Sequence, residues 1–173
     1  MATSSAEAQT QTSPREQFLQ AFEMEHATTM RVLRAYPADQ AGLRPHPRSK
    51  SAVELAWNFA VEDLATQQAL TTGIDFAALG QPPASLDAVI AAAENAHRRV
   101  AELVANLPEE RLAGGTVKFF VGPKTMGDVP VLQFLWMMLC DQIHHRGQFS
   151  VYLRMAGGKV PSIYGPTADE PWM

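Results

Sequence analysis

The feature that most constrains this chain is the run from Val131 to Leu153, which reads as one long helix. Its first half includes Phe134-Leu135-Trp136-Met137-Met138-Leu139-Cys140, with no charge at all. A helix that is apolar all round belongs in the middle of a core, so the fold must be built around it. The second half places Asp141, His144, His145 and Arg146 on the same helix. Burying such groups is costly unless each has a partner. That cost predicts a site.

At about 100° per residue, Asp141 and His145 stand about 40° apart, one turn from each other. Phe134, Met138, Gln148 and Tyr152 fall on the same side, so this face is expected to point inward. His144 lies about 60° from Asp141 in the other direction, on the flank. A carboxylate and an imidazole at this spacing supply two ligands to a divalent metal inside a helical bundle. A third ligand must come from another helix. The competing reading is an Asp–His ion pair, or an Asp141 neutralised by Arg146. Ser150 and Cys140 share no convincing face with either histidine, which argues against a hydrolase triad.

The rest of the chain reads as three further helices and their connections. Ser13-Pro14-Arg15-Glu16 and Ser51-Ala52-Val53-Glu54 are capping boxes, and Ser85 with Asp87 opens a third helix. Helix one ends at Tyr36-Pro37, helix two runs to about Leu70, and helix three covers Leu86 to Asn106. His26 falls on the apolar side of helix one and reads as a hydrogen-bonded core histidine. His97, beside Arg98 and Arg99, reads as solvated surface. Asn58 sits amid the apolar residues of helix two, with Glu62 one turn on and on the same side. These two are the candidates for the third ligand, Asn58 first and Glu62 as its substitute.

Residues 109 to 129 form a long crossover containing Gly114-Gly115 and Gly122-Pro123, with room for a short extended or hairpin element. Helices three and four are therefore not joined by a tight turn. Ala156-Gly157-Gly158 stops helix four, and the tail after it, with Tyr164 and Trp172, is expected to pack on the domain. Residues 1 to 12 are mostly small and polar and read as a flexible lead-in rather than a secretory signal.

At 173 residues the chain fits a single domain over residues 13 to 173. A net charge of −4 and the absence of a basic cluster argue against nucleic-acid binding by phosphate neutralisation. No apolar run is long enough for a membrane span, so a cytoplasmic protein is expected. The single Cys140 excludes an internal disulfide, and its apolar helix suggests a buried structural thiol.

Specific blocks then resemble a known family. Ile143-His144-His145-Arg146-Gly147-Gln148, with Tyr152-Leu153-Arg154, Val160-Pro161-Ser162-Ile163-Tyr164-Gly165-Pro166 and Ala168-Asp169-Glu170, is similar to the DinB family. Arg44 to Ser49, Glu54-Leu55-Ala56-Trp57 and His26 to Leu33 agree with it. This is the family named for damage-inducible genes, not the lesion-bypass polymerase that shares the name. The resemblance implies an all-α, up-down-down-up four-helix bundle, often a homodimer, often holding a divalent metal. The family's usual ligands are a histidine on helix two and a His-x-x-x-His pair on helix four. By register these positions are Asn58, Asp141 and His145 here, so only the last histidine is kept.

An Asn58, Asp141 and His145 set is harder than three imidazoles and shifts preference from zinc toward manganese, iron(II), nickel or magnesium-like ions. The expected function is a metal-dependent enzyme acting on a small molecule, by thiol transfer or hydrolysis, because the wider fold includes thiol S-transferases and an isomerase. The alternative is a metal-free, stress-associated bundle serving as a binding or dimerisation module.

Overall fold

Each long helix before the crossover begins where the sequence supplies a cap. A computed structural model describes residues 12–173; apart from Thr12, the lead-in expected over residues 1 to 12 lies outside them. Helix α1 spans Pro14–Arg34, α2 Ala52–Thr71 and α3 Leu86–Asn106. Ser13 and Glu16 exchange reciprocal bonds at the start of α1, as Ser51 and Glu54 do at α2. Ser85 Oγ accepts from the Ala88 amide at α3. Each cap satisfies backbone donors that a helix start leaves unpaired.

The crossover holds a short helix α4, Glu109–Gly114, and an antiparallel hairpin of β1, Thr116–Gly122, and β2, Thr125–Pro130. The all-α expectation is corrected to this extent: the fold is mostly helical with a small two-stranded sheet. Paired Val117 and Val129 are the buried residues of the two strands and pack with Val131, Phe134 and Leu135. Strand β2 runs directly into α5, Val131–Met155, the predicted fourth helix, and the Val131 amide bonds back to the Gly115 carbonyl. Gly157, at φ 79°, stops α5 in the left-handed region that favours glycine. Gly158 lets the chain pass Leu153 and the Ala35 carbonyl, where a Cβ would clash.

Helices α1 and α2 each pack against both α3 and α5. The core they enclose divides into two apolar clusters. Phe18, Phe22, Leu70, Val104, Phe134 and Leu139 belong to one, and Leu33, Phe59, Val89, Phe149 and Leu153 to the other. Between them runs a polar belt. Glu25 and Thr29 enter it from α1, Glu62, Asp63 and Thr66 from α2, His97 from α3, and Gln142 and Arg146 from α5.

Four expectations change here. Helix α5 is not buried all round, because Gln133, Trp136, Cys140, His144 and Gln148 form an exposed stripe at helical spacing. Cys140 is therefore an exposed thiol, not a buried one. His97 is 2% exposed, because it lies one turn after Ala93 and one before Val100 on the apolar stripe of α3, while Arg98 and Arg99 point outward. The inward direction of α5 also differs: it is centred on Gln142, Arg146 and Phe149, and Gln148 is outside. Asp141 and His145 lie on the rim of the buried face, about 100° and 60° from Gln142.

Candidate metal centre

That rim faces α2. The His145 Nδ1 lies 2.7 Å from Glu62 Oε1 and 3.9 Å from Asp141 Oδ2. One ligand atom from each of Glu62, Asp141 and His145 lies within 4.8 Å of the others. Glu62 is buried, His145 largely so, and the Asp141 side chain is 46% exposed, so the cluster opens outward through Asp141.

The short Glu62–His145 approach is not an aligned hydrogen bond. Both Nδ1 of His145 and Oε2 of Glu62 are buried without a hydrogen-bond partner. Orphaned buried polar atoms are rare in folded proteins and call for a cause. Here two of them belong to groups converging on the same point. Burial pushes the Glu62 carboxyl up to about 7, and the contact with Glu62 raises the His145 imidazole. A cation at the convergence would reverse the penalty on Glu62 and take up the lone pairs of all three side chains. Two carboxylates with one imidazole form a mainly oxygen set that suits first-row divalent ions. The residues present fit a metal.

Behind Glu62, the Asp63 carboxylate accepts from Gln142 Nε2 at 2.7 Å. Burial holds the Asp63 carboxyl well above the usual carboxylate range. This second α2–α5 bridge fixes the separation at which Glu62 faces His145. Sequence reading did not anticipate it.

Asn58 stands one turn before Glu62 and is occupied differently. Its Oδ1 accepts from Lys50 Nζ at 2.5 Å, and it lines a cavity of about 490 Å³ together with His145. Glu62, named from the sequence only as a substitute, is the α2 side chain whose carboxylate reaches Asp141 and His145.

Arg146 does not neutralise Asp141. It is 1% exposed and points the other way, into α1. Its Nη2 lies 2.6 Å from Glu25 Oε2 and 2.7 Å from the Tyr164 hydroxyl, while Nη1 donates to the Glu25 carbonyl at 3.1 Å. The Tyr164 hydroxyl donates in turn to Glu25 Oε2 at 2.8 Å. The tail carrying Tyr164 is also pinned where Asp169 pairs with Arg154 and accepts from the Val160 amide. Gly147 has open space where a Cβ would stand, and it is Gly158 that makes a close approach to its neighbours. His26 makes no hydrogen bond among the described residues; its ring stacks on His97 at 3.6 Å.

Fold and cluster together define a helical-bundle protein with a carboxylate–imidazole site shared between two helices. The sequence matches the DinB family over residues 7–172, and the chain belongs to that family. A crystal structure of a DinB-like protein from Bacillus cereus ATCC 10987 superposes with a TM-score of 0.71 at 20% identity, covering 85% of this chain and 95% of that one. A DinB-like protein from Bacillus subtilis, YjoA, gives 0.67 at 18% identity, covering 91% and 99%. These likenesses show the fold. The uncharacterized protein YrdA of Bacillus subtilis (strain 168) is 45% identical over 42 residues, 24% of this chain and 25% of its own length. No helix among the described residues is long and apolar enough to cross a membrane.

Proposed function

We propose that the protein is a metal-dependent enzyme of the DinB type, with Glu62, Asp141 and His145 holding one divalent ion and a small molecule as substrate. The observation that carries this reading is the convergence of Glu62, Asp141 and His145 with Glu62 Oε2 and His145 Nδ1 left unpaired among the described residues. Manganese, iron(II) and nickel suit the set better than zinc. When bound, such an ion supplies Lewis-acid activation of a thiol, a water or a carbonyl. The chain itself orients the two helices through Asp63 and Gln142 and leaves the Asp141 side open for substrate. Thiol transfer and hydrolysis are the reaction types this arrangement accommodates.

Asn58, the ligand read by register, belongs in this proposal as a neighbour of the ion's site, engaged by Lys50. Up-down-down-up threading is part of the same reading. It is supported by Arg15 meeting the Val104 carbonyl, Lys50 the Tyr152 hydroxyl and Gln67 the Ala96 carbonyl. So is a cytoplasmic homodimer, for which the exposed Phe120, Val121 and Met126 offer an apolar surface. Light scattering of purified protein tests the dimer.

The deciding experiment is elemental analysis of protein purified without a polyhistidine tag. About one divalent ion per chain is expected, lost in His145→Ala and in Glu62→Ala. Absence of metal even after reconstitution would sink the reading. The competing one, a metal-free stress-associated binding module, is favoured by the 2.7 Å approach of Glu62 to His145, which makes an internal ion pair without help. It predicts that a chelator leaves the melting temperature unchanged.

A further inference from the structure

The cavity beside His145 has a composition that speaks to what enters it. Its volume, about 490 Å³, lies in the usual range for small-molecule sites. Leu55, Val151 and the Tyr152 ring give it apolar walls, while Lys50, Asn58 and His145 give it polar ones. Lys50 comes from the connector before α2, and its carbonyl accepts from the Tyr152 hydroxyl at 3.0 Å, which holds that stretch of backbone at the cavity.

Charge at this wall is unbalanced. The connector carries Arg44, Arg48 and Lys50 in an otherwise acidic chain. Arg44 is neutralised by Glu54 at 2.8 Å, but Lys50 forms no ion pair among the described residues. Its bond goes to the neutral Asn58 Oδ1. That bond also orients the amide, since an ammonium donates only to the oxygen. The Asn58 Nδ2 is thereby turned away from Lys50 and makes no hydrogen bond among the described residues. The Lys50 ammonium and the Asn58 N–H₂ are then two separate donors on the lining of one cavity.

We propose that this cavity binds a small molecule with a carboxylate and an apolar body. Lys50 and Asn58 hold the carboxylate, and Leu55, Val151 and Tyr152 receive the body. The His145 end is left for the reacting part. A carboxylate matches the site better than a phosphate. One ammonium is present, Glu62 and Asp141 stand beyond His145, and a dianion facing them would be repelled. The claim that the bound molecule is the substrate rests on the metal-site reading above; the binding itself does not.

The test uses benzoate, benzamide and phenyl phosphate as probes, titrated by NMR into full-length protein stripped with chelator, then into metal-loaded protein. In the stripped protein benzoate should bind about tenfold more tightly than benzamide, a difference of about 1.4 kcal/mol. Lys50→Met should abolish that preference while the melting temperature stays within about a degree, because Lys50 is exposed. Equal binding of benzoate and benzamide, no binding of either, or a preference that survives in Lys50→Met would each overturn the proposal. Tighter binding of phenyl phosphate than of benzoate would overturn the carboxylate assignment. Stripped protein keeps the two readings apart: a chain that never takes up metal but selects benzoate through Lys50 defeats the metal centre alone.

Discussion

Two polar clusters leave α5 within a few residues of each other, and they are opposite in kind. Arg146 turns into α1, where Glu25, Tyr164 and the Glu25 carbonyl meet its guanidinium at hydrogen-bonding distance. His145, one residue earlier, turns toward α2, where a carboxylate 2.7 Å away is misaligned and both partners keep an unpaired buried atom. The first cluster is complete without any ligand. The second leaves two buried atoms unpaired among the described residues. A buried charge that is fully paired holds elements in register, whereas one left partly unpaired marks a site where the chain has conceded stability to function.

The comparison is most severely tested by removing the charge of Arg146. Arg146→Met leaves Glu25 buried beside Tyr164 with no cation, and should lower unfolding free energy by about 3–5 kcal/mol in urea melts. The double change Arg146→Met with Glu25→Gln should recover part of the loss, since the uncompensated charge is then gone. A single variant as stable as wild type would mean that the Arg146 cluster ties nothing together.

The opposite result is expected across the helix. In chelator-treated protein, Glu62→Gln removes a carboxyl that burial already pushes up to about 7, so stability should stay within about 1 kcal/mol of wild type or rise. In metal-loaded protein the same change should remove the stabilisation that a bound ion provides, about 2.7 kcal/mol when the free ion is at a hundredfold its Kd. A Glu62→Gln variant that is destabilised equally with and without metal would erase the distinction between the two clusters.

Much of the frame was legible from local chemistry. The capping boxes at Ser13 and Ser51, the cap at Ser85 and the stop at Gly157 are short-range features, and each stands where sequence reading placed it. Asp141 and His145 were paired by helical spacing alone, and they do lie on one rim of α5. What sequence reading missed depends on where other helices sit. Arg146 and Glu25 are 121 residues apart, and nothing local in either names the other. That the Glu62 carboxylate, rather than the Asn58 amide, reaches Asp141 and His145 depends on the height of α2 against α5, which the Asp63–Gln142 bridge helps to set. Cys140 and His97 fail for a related reason. An uncharged run has no visible outer face until its neighbours are placed, and adjacent arginines disguised a histidine on the inner stripe of α3.

His97 and His26 supply the mildest test, because they are a third way for the polar belt to settle a polar group: by keeping it neutral. Their rings stack at 3.6 Å, and His97 also lies against Phe22. Burial, helped by the neighbouring His97 and by Arg34 and Arg98, takes His26 down to about 3. Burial lowers His97 as well, although Glu23, 3.1 Å from its Nε2, pulls the other way. A histidine with a depressed folded pKa is protonated more readily in the unfolded chain, where it titrates near 6.5. Stability from this source is therefore complete above about pH 6.5 and is lost as pH falls from there toward about 3. Solvent at the partly exposed His26 keeps the effect below those of Arg146 and Glu62. Replacing His26 with Phe preserves the stack and removes one titrating group, so the slope of melting temperature between pH 6.5 and 4.5 should flatten relative to wild type. An unchanged slope would assign the acid sensitivity to carboxylates elsewhere, and the stacked pair would then be packing alone.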